Sequence, residues 1–136
     1  MTITNEERIE GSNLIAKFIG LEPRWVEYPN PQINRWEIRD NWNTWVPMEY
    51  HSSWEWLFIV IDKVNGLGKE YNFYIFKTYL ALSVEKGGKV YKDFSFAHSE
   101  YITKDQTGKE AAFKLLVKFI KWYNEHVLNT NLKPTI

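Results

Sequence analysis

The segment that decides the fold reads Tyr50-His51-Ser52-Ser53-Trp54-Glu55-Trp56-Leu57-Phe58-Ile59-Val60-Ile61-Asp62-Lys63-Val64-Asn65-Gly66. Its apolar run, Trp56 to Ile61, fits either a buried strand or a buried helix. Ser52 followed three residues later by Glu55 is typical of a capping box, in which two side chains satisfy orphan backbone N–H groups. Gly66 supplies a left-handed residue that commonly ends a helix. We therefore predict a central helix.

The apolar residues of this helix cover more than a single stripe. At 100° per residue one face carries Trp54, Leu57, Phe58, Ile61 and Val64, and three further residues, Trp56, Ile59 and Val60, widen it. The pattern predicts a helix that is covered on more than one side.

Length and composition predict one domain spanning residues 1–136, with a single core. The 17 basic and 17 acidic side chains balance, which removes the overall attraction to phosphate that supports non-specific nucleic-acid binding. The chain has no cysteine, so disulfides and thiolate metal sites are excluded. Aromatic residues are unusually frequent, since the chain has seven Trp, eight Tyr and eight Phe. Such residues build both cores and interfaces.

No signal peptide or membrane span is recognisable. The first eight residues lack a basic region followed by an apolar core, and no segment reaches about 18 apolar residues. The sequence therefore predicts a cytoplasmic protein that does not enter a membrane.

The segment before the central helix predicts one helix and one hairpin. Apolar residues at helical spacing favour a helix from about Asn5 to Ile19, ended by Gly20, although Gly11 weakens its first turns. The Pro29-Asn30-Pro31 turn joins two extended pieces, Arg24 to Tyr28 and Asn34 to Arg39, that can pair. A loop follows at residues 40–43.

The segment after the central helix predicts strands and a last helix. Residues 70–84 have the composition of one long strand, and Tyr74, Phe76, Thr78, Leu80, Leu82 and Val84 form its more apolar, core-facing set. Gly87-Gly88 predicts a tight turn into an antiparallel strand at residues 89–97. A capping box at Thr107 and Glu110 starts a helix that runs to about Asn129. The predicted class is α+β, an antiparallel sheet with three helices mainly on one face.

Three segments resemble a widespread group of small bacteriophage and prophage proteins. They are Tyr50-His51-Ser52-Ser53-Trp54-Glu55-Trp56-Leu57, Phe119-Ile120-Lys121-Trp122-Tyr123-Asn124 and Asn13-Leu14-Ile15-Ala16-Lys17-Phe18-Ile19-Gly20. The resemblance covers the three helices and little of the sheet. It implies an origin in phage or mobile DNA and a role in the host cytoplasm during infection, without implying an activity.

Catalytic and metal-binding patterns are not recognisable in the chain. His51-Ser52-Ser53 pairs a base with hydroxyls, but the serine motif of hydrolases is missing and Ser52 has a capping role. The histidines at 51, 98 and 126 are too scattered for a metal site. Gly66-Leu67-Gly68-Lys69 follows a helix instead of a strand, so we interpret it as a turn. We predict no enzyme activity, no cofactor and no metal.

The best candidate for recognition is an aromatic and basic cluster in the proline-rich segment. Its planar groups provide stacking faces, and its guanidinium groups suit phosphate or carboxylate. The alternative is that the tryptophans cover an open end of the core. The predicted ligand-binding residues are Arg35, Trp36, Arg39, Trp42, Trp45 and His51.

A second candidate is the lysine stripe, which we define as Lys114, Lys118 and Lys121. It is either a phosphate-binding stripe or a solvated helix face that Glu110 and Glu125 partly balance.

Two functions compete on these observations. The first is a non-catalytic protein that sequesters a small ligand during infection, such as a nucleotide signal used in host defence. The alternative is a protein–protein module that inhibits a host factor through Trp42, Trp45 and a neighbouring Tyr28 or Tyr50. A small nuclease or hydrolase is the third hypothesis.

The apolar surplus of the chain also predicts a homodimer. More apolar side chains are present than one layer of helices on a sheet can cover, and a second copy normally buries such a surplus. The predicted contact comprises Phe73, Ile75 and Tyr79 on the outer face of the sheet.

Overall fold

A computed structural model describes residues 3–30, 32, 35–39, 44–76, 79–97 and 106–128. Helices and strands succeed one another along these residues. Their bounds are α1 Asn5–Phe18, β1 Arg24–Val26, β2 Arg35–Arg39, β3 Trp45–Pro47, α2 Trp54–Asn65, β4 Tyr71–Ile75, β5 Tyr79–Lys86, β6 Lys89–Asp93, β7 Phe96–Ala97 and α3 Gln106–Tyr123. A π-helical segment, Asn124–Leu128, continues α3. The predicted α+β class is confirmed.

The described strands form two antiparallel sheets. The first sheet has the order β1-β2-β3, and the second has the order β4-β5-β6, with β7 also paired to β5. The predicted hairpin is confirmed, since Arg24 pairs with Glu37 and Val26 with Arg35. The predicted loop at residues 40–43 lies outside the described residues, and β3 was not predicted.

The predicted single strand at residues 70–84 is wrong, because the chain reverses between β4 and β5. Phe76 N donates to Tyr79 O at 2.9 Å and closes the hairpin. The reversal shifts which alternate residues face the core. Leu80, Leu82 and Val84 are buried as predicted, whereas Tyr74 and Phe76 are exposed and Phe73 takes the buried position. Thr78 lies outside the described residues.

The second hairpin turn follows the prediction. Lys86 pairs with Lys89, and the intervening Gly87 and Gly88 have φ angles of 62° and 79°. Both angles lie in the left-handed region that glycine adopts without a Cβ clash.

The central helix forms as predicted, but its ends differ from the prediction. Ser53 is the N-cap, and its Oγ accepts from Trp56 N at 3.5 Å. Ser52 Oγ instead donates to Glu49 Oε2, because residues 49–52 form a turn just before the helix. The cap is therefore one residue later, and Glu55 is not at the capping-box position. Gly66 ends the helix with a φ of −81°, so the predicted left-handed conformation is wrong.

Only one face of α2 is covered. Leu57, Val60, Ile61 and Val64 are buried there, while the opposite side includes Phe58 and Ile59, which are 47% and 58% exposed. The prediction of a helix covered on more than one side is wrong.

The helices pack through one core. α1 lies against α3, α3 against α2, and α2 against β4. Gly11 permits the close approach of α1 and α3, because a Cβ at this position would lie 2.6 Å from Cζ of Phe113. α1 begins at Asn5 with Thr4 as its N-cap, so its first turns are helical despite Gly11. Thr107 lies inside the first turn of α3 and is not its N-cap.

The buried apolar members of this core come from all three helices and both sheets. They include Ile15, Ile38, Tyr50, Leu57, Phe73, Leu80, Leu82, Phe113, Leu116, Phe119 and Ile120.

Candidate functional site

The outer face of the first sheet carries most of the predicted basic and aromatic residues. Side chains alternate along β2, so Arg35, Glu37 and Arg39 share this face. The register adds Arg24 beside Glu37, and Trp45 beside Arg39. We call this set, together with Tyr28, the arginine face. It is a surface of three guanidinium groups, two rings and one carboxylate.

Trp45 is the aromatic centre of the arginine face. The Cζ atom of Arg24 lies 3.6 Å from the centroid of the Trp45 ring, and that of Arg39 lies 5.2 Å from it. Both distances are within the range of cation–π attraction. The two guanidinium groups are thus held against the indole.

Glu37 anchors the other half of the arginine face. Its Oε2 accepts a hydrogen bond from Tyr28 Oη at 2.5 Å and one from Arg35 Nε at 2.7 Å. Glu37 is fully covered, although Arg35 is 47% exposed, so neighbouring side chains shield the carboxylate from solvent. Charged side chains are almost never fully buried unless they are paired.

These contacts fix the protonation states of the cluster. Burial alone would raise the pKa of Glu37, but the hydrogen bonds from Tyr28 and Arg35 and the charges of Arg35 and Arg24 hold it below its ordinary value. The same hydrogen bond to Glu37 raises the pKa of Tyr28. The hydrogen bond to Glu37 also raises the pKa of Arg35. At neutral pH the cluster therefore holds an ionised carboxylate, a protonated phenol and a charged guanidinium.

One oxygen of Glu37, Oε1, is buried and accepts no hydrogen bond from the part of the chain that the structure describes. An unsatisfied buried acceptor is costly. Arg35 pairs through Nε and stays half exposed, so its guanidinium remains within reach of an external anion.

Trp36 lies on the opposite face of the sheet. It packs against the core and meets Trp25 at a centroid distance of 6.0 Å. These two rings, with Arg8 and Ser12 of α1, line a cavity of about 150 Å³. The predicted cluster is therefore divided between two faces, as alternation along a strand requires.

His51 and Trp42 do not contribute to the arginine face. His51 lies between α1 and α3, with its ring 6.4 Å from that of Phe113, and burial followed by the charge of Arg8 lowers its pKa. Trp42 lies outside the described residues.

The lysine stripe faces α1. Lys114, Lys118 and Lys121 line a groove of about 350 Å³ together with Glu7 and Glu10. The carboxylates of α1 oppose the lysines, which favours the interpretation as a charge-balanced helix face.

The described residues contain neither a cluster of metal ligands nor a membrane-spanning helix. Among the described residues no three His, Asp or Glu side chains cluster as metal ligands would. The helices in the described part of the chain are too short or too polar to cross a bilayer.

The predicted ligand-binding residues did not include Arg24, Tyr28 and Glu37, although Tyr28 was predicted as a contact for a partner protein. Arg24 and Glu37 pair directly in the predicted hairpin, so period-two alternation combined with its register was the signal that could have found them. Tyr28 follows β1 at the spacing that keeps it on the face of Arg24.

Comparisons of the chain with protein-family models, with curated proteins and with solved structures found no match.

Proposed function

We propose that this protein is a non-catalytic binding protein whose arginine face takes up a small anionic ligand with a planar ring, such as a nucleotide. The observation that carries the proposal is the placement of Arg24 and Arg39 against Trp45, at 3.6 and 5.2 Å. A planar ring stacks on an indole or on a guanidinium plane, and a phosphate pairs with guanidinium N–H groups.

The charge balance supports an anionic ligand. Among the described residues of this face, Arg24, Arg35 and Arg39 accompany one carboxylate, that of Glu37, which gives the described part of the arginine face a positive excess although the whole chain is neutral. Glu37 holds Arg35 and Tyr28 in place through two hydrogen bonds.

The biological setting is part of the proposal. The resemblance to small phage proteins suggests that this protein acts in the host cytoplasm and captures a ligand by occupancy alone. Such a protein needs affinity and abundance but no turnover.

Calorimetric titration with a panel of mononucleotides and cyclic nucleotides tests the proposal. We expect one nucleotide to bind, and we expect Arg39→Gln and Trp45→Leu each to weaken binding about tenfold or more. Lys89→Gln is the matched control, because it also removes one positive charge but lies on β6. The proposal is contradicted if none of the nucleotides gives a heat of binding at about 1 mM.

The second candidate function is a module that inhibits a host protein. It is favoured by exposed rings on the outer face of the second sheet, where Phe76 stacks on Tyr79 at 4.4 Å and Tyr74 lies 6.2 Å from Phe76. Exposed aromatic clusters of this kind supply much of the energy of protein interfaces. Tyr50, one of the predicted contacts, is buried and cannot take part.

The predicted homodimer would use the same rings. Phe73 is 2% exposed and faces the core, and Ile75, which pairs with the buried Leu80, packs against the core as well, so the predicted contact is wrong at these two residues. Tyr74 and Phe76 join Tyr79 on the outer face instead. Light scattering of the protein and of Tyr79→Glu tests self-association. A monomer mass for both proteins would contradict it.

A further inference from the structure

The cavity of about 150 Å³ between α1 and the first sheet has a chemistry of its own. Arg8 and Ser12 line it from α1, Trp25 and Trp36 line it from the sheet, and Met48 lines it from the segment after β3. We call it the tryptophan cavity. Its volume suits a single six-membered ring, because an apolar cavity of about this size holds benzene.

Two indole rings form one wall of the tryptophan cavity. Trp25 pairs with Trp36 across β1 and β2, and their rings meet at a centroid distance of 6.0 Å and an angle of 62°. An edge-on contact of this kind occupies at most one face of an indole. Trp25 is 47% exposed, and the described part of the chain places no other ring or cation against it. The wall therefore offers an open aromatic face to a planar ligand.

Arg8 supplies a positive charge beside the indoles. Its Nη2 donates to the amide oxygen of Asn5 at 3.4 Å, and it forms no ion pair with a carboxylate in the described part of the chain. Burial, followed by the charge of Arg8, lowers the pKa of His51, so the guanidinium lies on the side of α1 that faces residues 48–51. Met48 of this segment lines the cavity. The charge of Arg8 is therefore within reach of an anion in the cavity.

The charge balance of the lining favours an anion. The described lining residues include no Asp or Glu. Arg35 also lines the cavity, but its guanidinium is paired with Glu37 on the arginine face. Arg8 is thus the cation that a ligand in the tryptophan cavity would meet, without a lining carboxylate to repel an anion.

Ser12 adds a buried hydroxyl to the same side of the cavity. It lies one helical turn after Arg8, so the two side chains share a face of α1. Ser12 is 3% exposed, and its Oγ has no hydrogen-bond partner in the described part of the chain. A helical serine often donates to the carbonyl four residues earlier, which here is that of Arg8, but Ser12 makes no such bond. An unsatisfied buried hydroxyl is costly, and an oxygen of a bound ligand would relieve that cost.

From these contacts we infer that the tryptophan cavity binds a small aromatic carboxylate with a single ring. A carboxylate has two oxygens, so one can pair with Arg8 while the other accepts a hydrogen bond from Ser12. The ring of the ligand lies against Trp25 and Trp36. This site is on the opposite face of the first sheet from the proposed nucleotide site, and its charged group is Arg8.

Titration of the protein with benzoate, followed by calorimetry and by the NMR signals of the indole N–H groups, tests the inference. Benzamide has nearly the same shape without the charge and serves as the ligand control. We expect benzoate to bind with a dissociation constant at or below about 1 mM, and benzamide to bind at least about tenfold more weakly. The indole signal that is lost in Trp25→Ala should be among those that benzoate shifts.

Three variants locate the site. We expect Arg8→Gln to weaken benzoate binding about tenfold, because it removes the charge that pairs with the carboxylate. Trp25 is half exposed, so Trp25→Ala leaves the core intact and should weaken binding about fivefold. Ser12→Ala should weaken binding about threefold or more without lowering the midpoint of urea denaturation, since the hydroxyl has no partner in the described part of the chain.

Lys17→Gln is the matched control, because it also removes one positive charge from α1 but does so at an exposed position outside the cavity. Unchanged affinity in this variant, with losses in Arg8→Gln, Trp25→Ala and Ser12→Ala, supports the assignment. The inference is overturned if benzoate and benzamide bind equally, if neither binds at about 10 mM, or if Lys17→Gln weakens binding as much as Arg8→Gln.

Discussion

The first sheet carries a buried, ionised carboxylate on its outer face. The second sheet buries apolar side chains on its inner face and leaves aromatic rings exposed on its outer face. In the first sheet Glu37 is inaccessible because Tyr28 and Arg35 hydrogen-bond to it. In the second sheet Leu80 and Leu82 are inaccessible because the helices pack on them. The burial of Glu37 depends on hydrogen bonds between a few atoms, whereas the burial of Leu80 and Leu82 depends on the apolar area that the helices cover.

The contrast bears on function. A surface held together by hydrogen bonds and cation–π contacts keeps its polar groups positioned for a ligand, as binding requires. A sheet that buries aliphatic side chains supplies stability without presenting polar groups. We therefore expect substitutions in the second sheet to change stability most, and substitutions on the arginine face to change ligand binding most.

The largest effect should come from the inner face of the second sheet. Leu82→Ala should lower the free energy of unfolding by about 2–5 kcal/mol, because it leaves a cavity in the core. Tyr74→Ala, on the outer face of the same sheet, should change it by less than about 0.5 kcal/mol. Urea denaturation of both variants measures the difference, and similar losses would remove the distinction between the two faces.

The edge of the second sheet should show the next largest effect. The side-chain amide of Asn65 accepts from Phe73 N at 2.8 Å and donates to Phe73 O at 3.3 Å, so it pairs with the free edge of β4. Asn65→Ala should cost about 1–3 kcal/mol, because it leaves part-buried backbone groups unpaired.

Hydrogen exchange at the Phe73 amide gives a local measurement of this pairing. Exchange should accelerate in Asn65→Ala. It should stay unchanged in Asn72→Ala, which removes two exposed hydrogen bonds, one to Lys69 O and one from Tyr74 Oη. Equal protection in both variants would mean that Asn65 does not cover the edge.

The first sheet should lose less stability when its carboxylate is neutralised. Glu37→Gln should cost about 1–2 kcal/mol at neutral pH, because Arg35 is half exposed and can be rehydrated after the ion pair is lost. Chemical denaturation measures this cost. A loss as large as that of Leu82→Ala would show that the cluster supports the core and not only its own surface.

The smallest effect is a dependence on pH. The pKa of Glu37 is lower in the folded protein than its ordinary value, so its contribution to stability is present above the unfolded-state pKa of about 4.3 and is lost as the pH falls through the folded-state pKa. The difference in unfolding free energy between the protein and Glu37→Gln should therefore shrink below about pH 4. A difference that stays constant from pH 7 to the acid range would contradict the ionised assignment of Glu37.

The elements that the sequence predicted are those with local signals. The β1–β2 hairpin, the Gly87-Gly88 turn and the helical nature of α2 and α3 follow from prolines, paired glycines and apolar spacing, which act within a few residues. The α+β class follows from the order of these elements. Of the arginine face, the sequence indicated Arg35, Arg39 and Trp45 as members of one cluster.

Tertiary structure decided where the side chains point. The reversal between β4 and β5 has no glycine or proline within residues 74–80, so composition alone suggested a single strand and placed Phe73 and Tyr74 on the wrong faces. Trp36 and Arg35 are adjacent in the sequence but lie on opposite faces of β2. The burial of Glu37 depends on Tyr28 reaching it from across the hairpin. Contacts of this kind join residues far apart in the chain, and a local pattern of apolar and polar residues does not specify them.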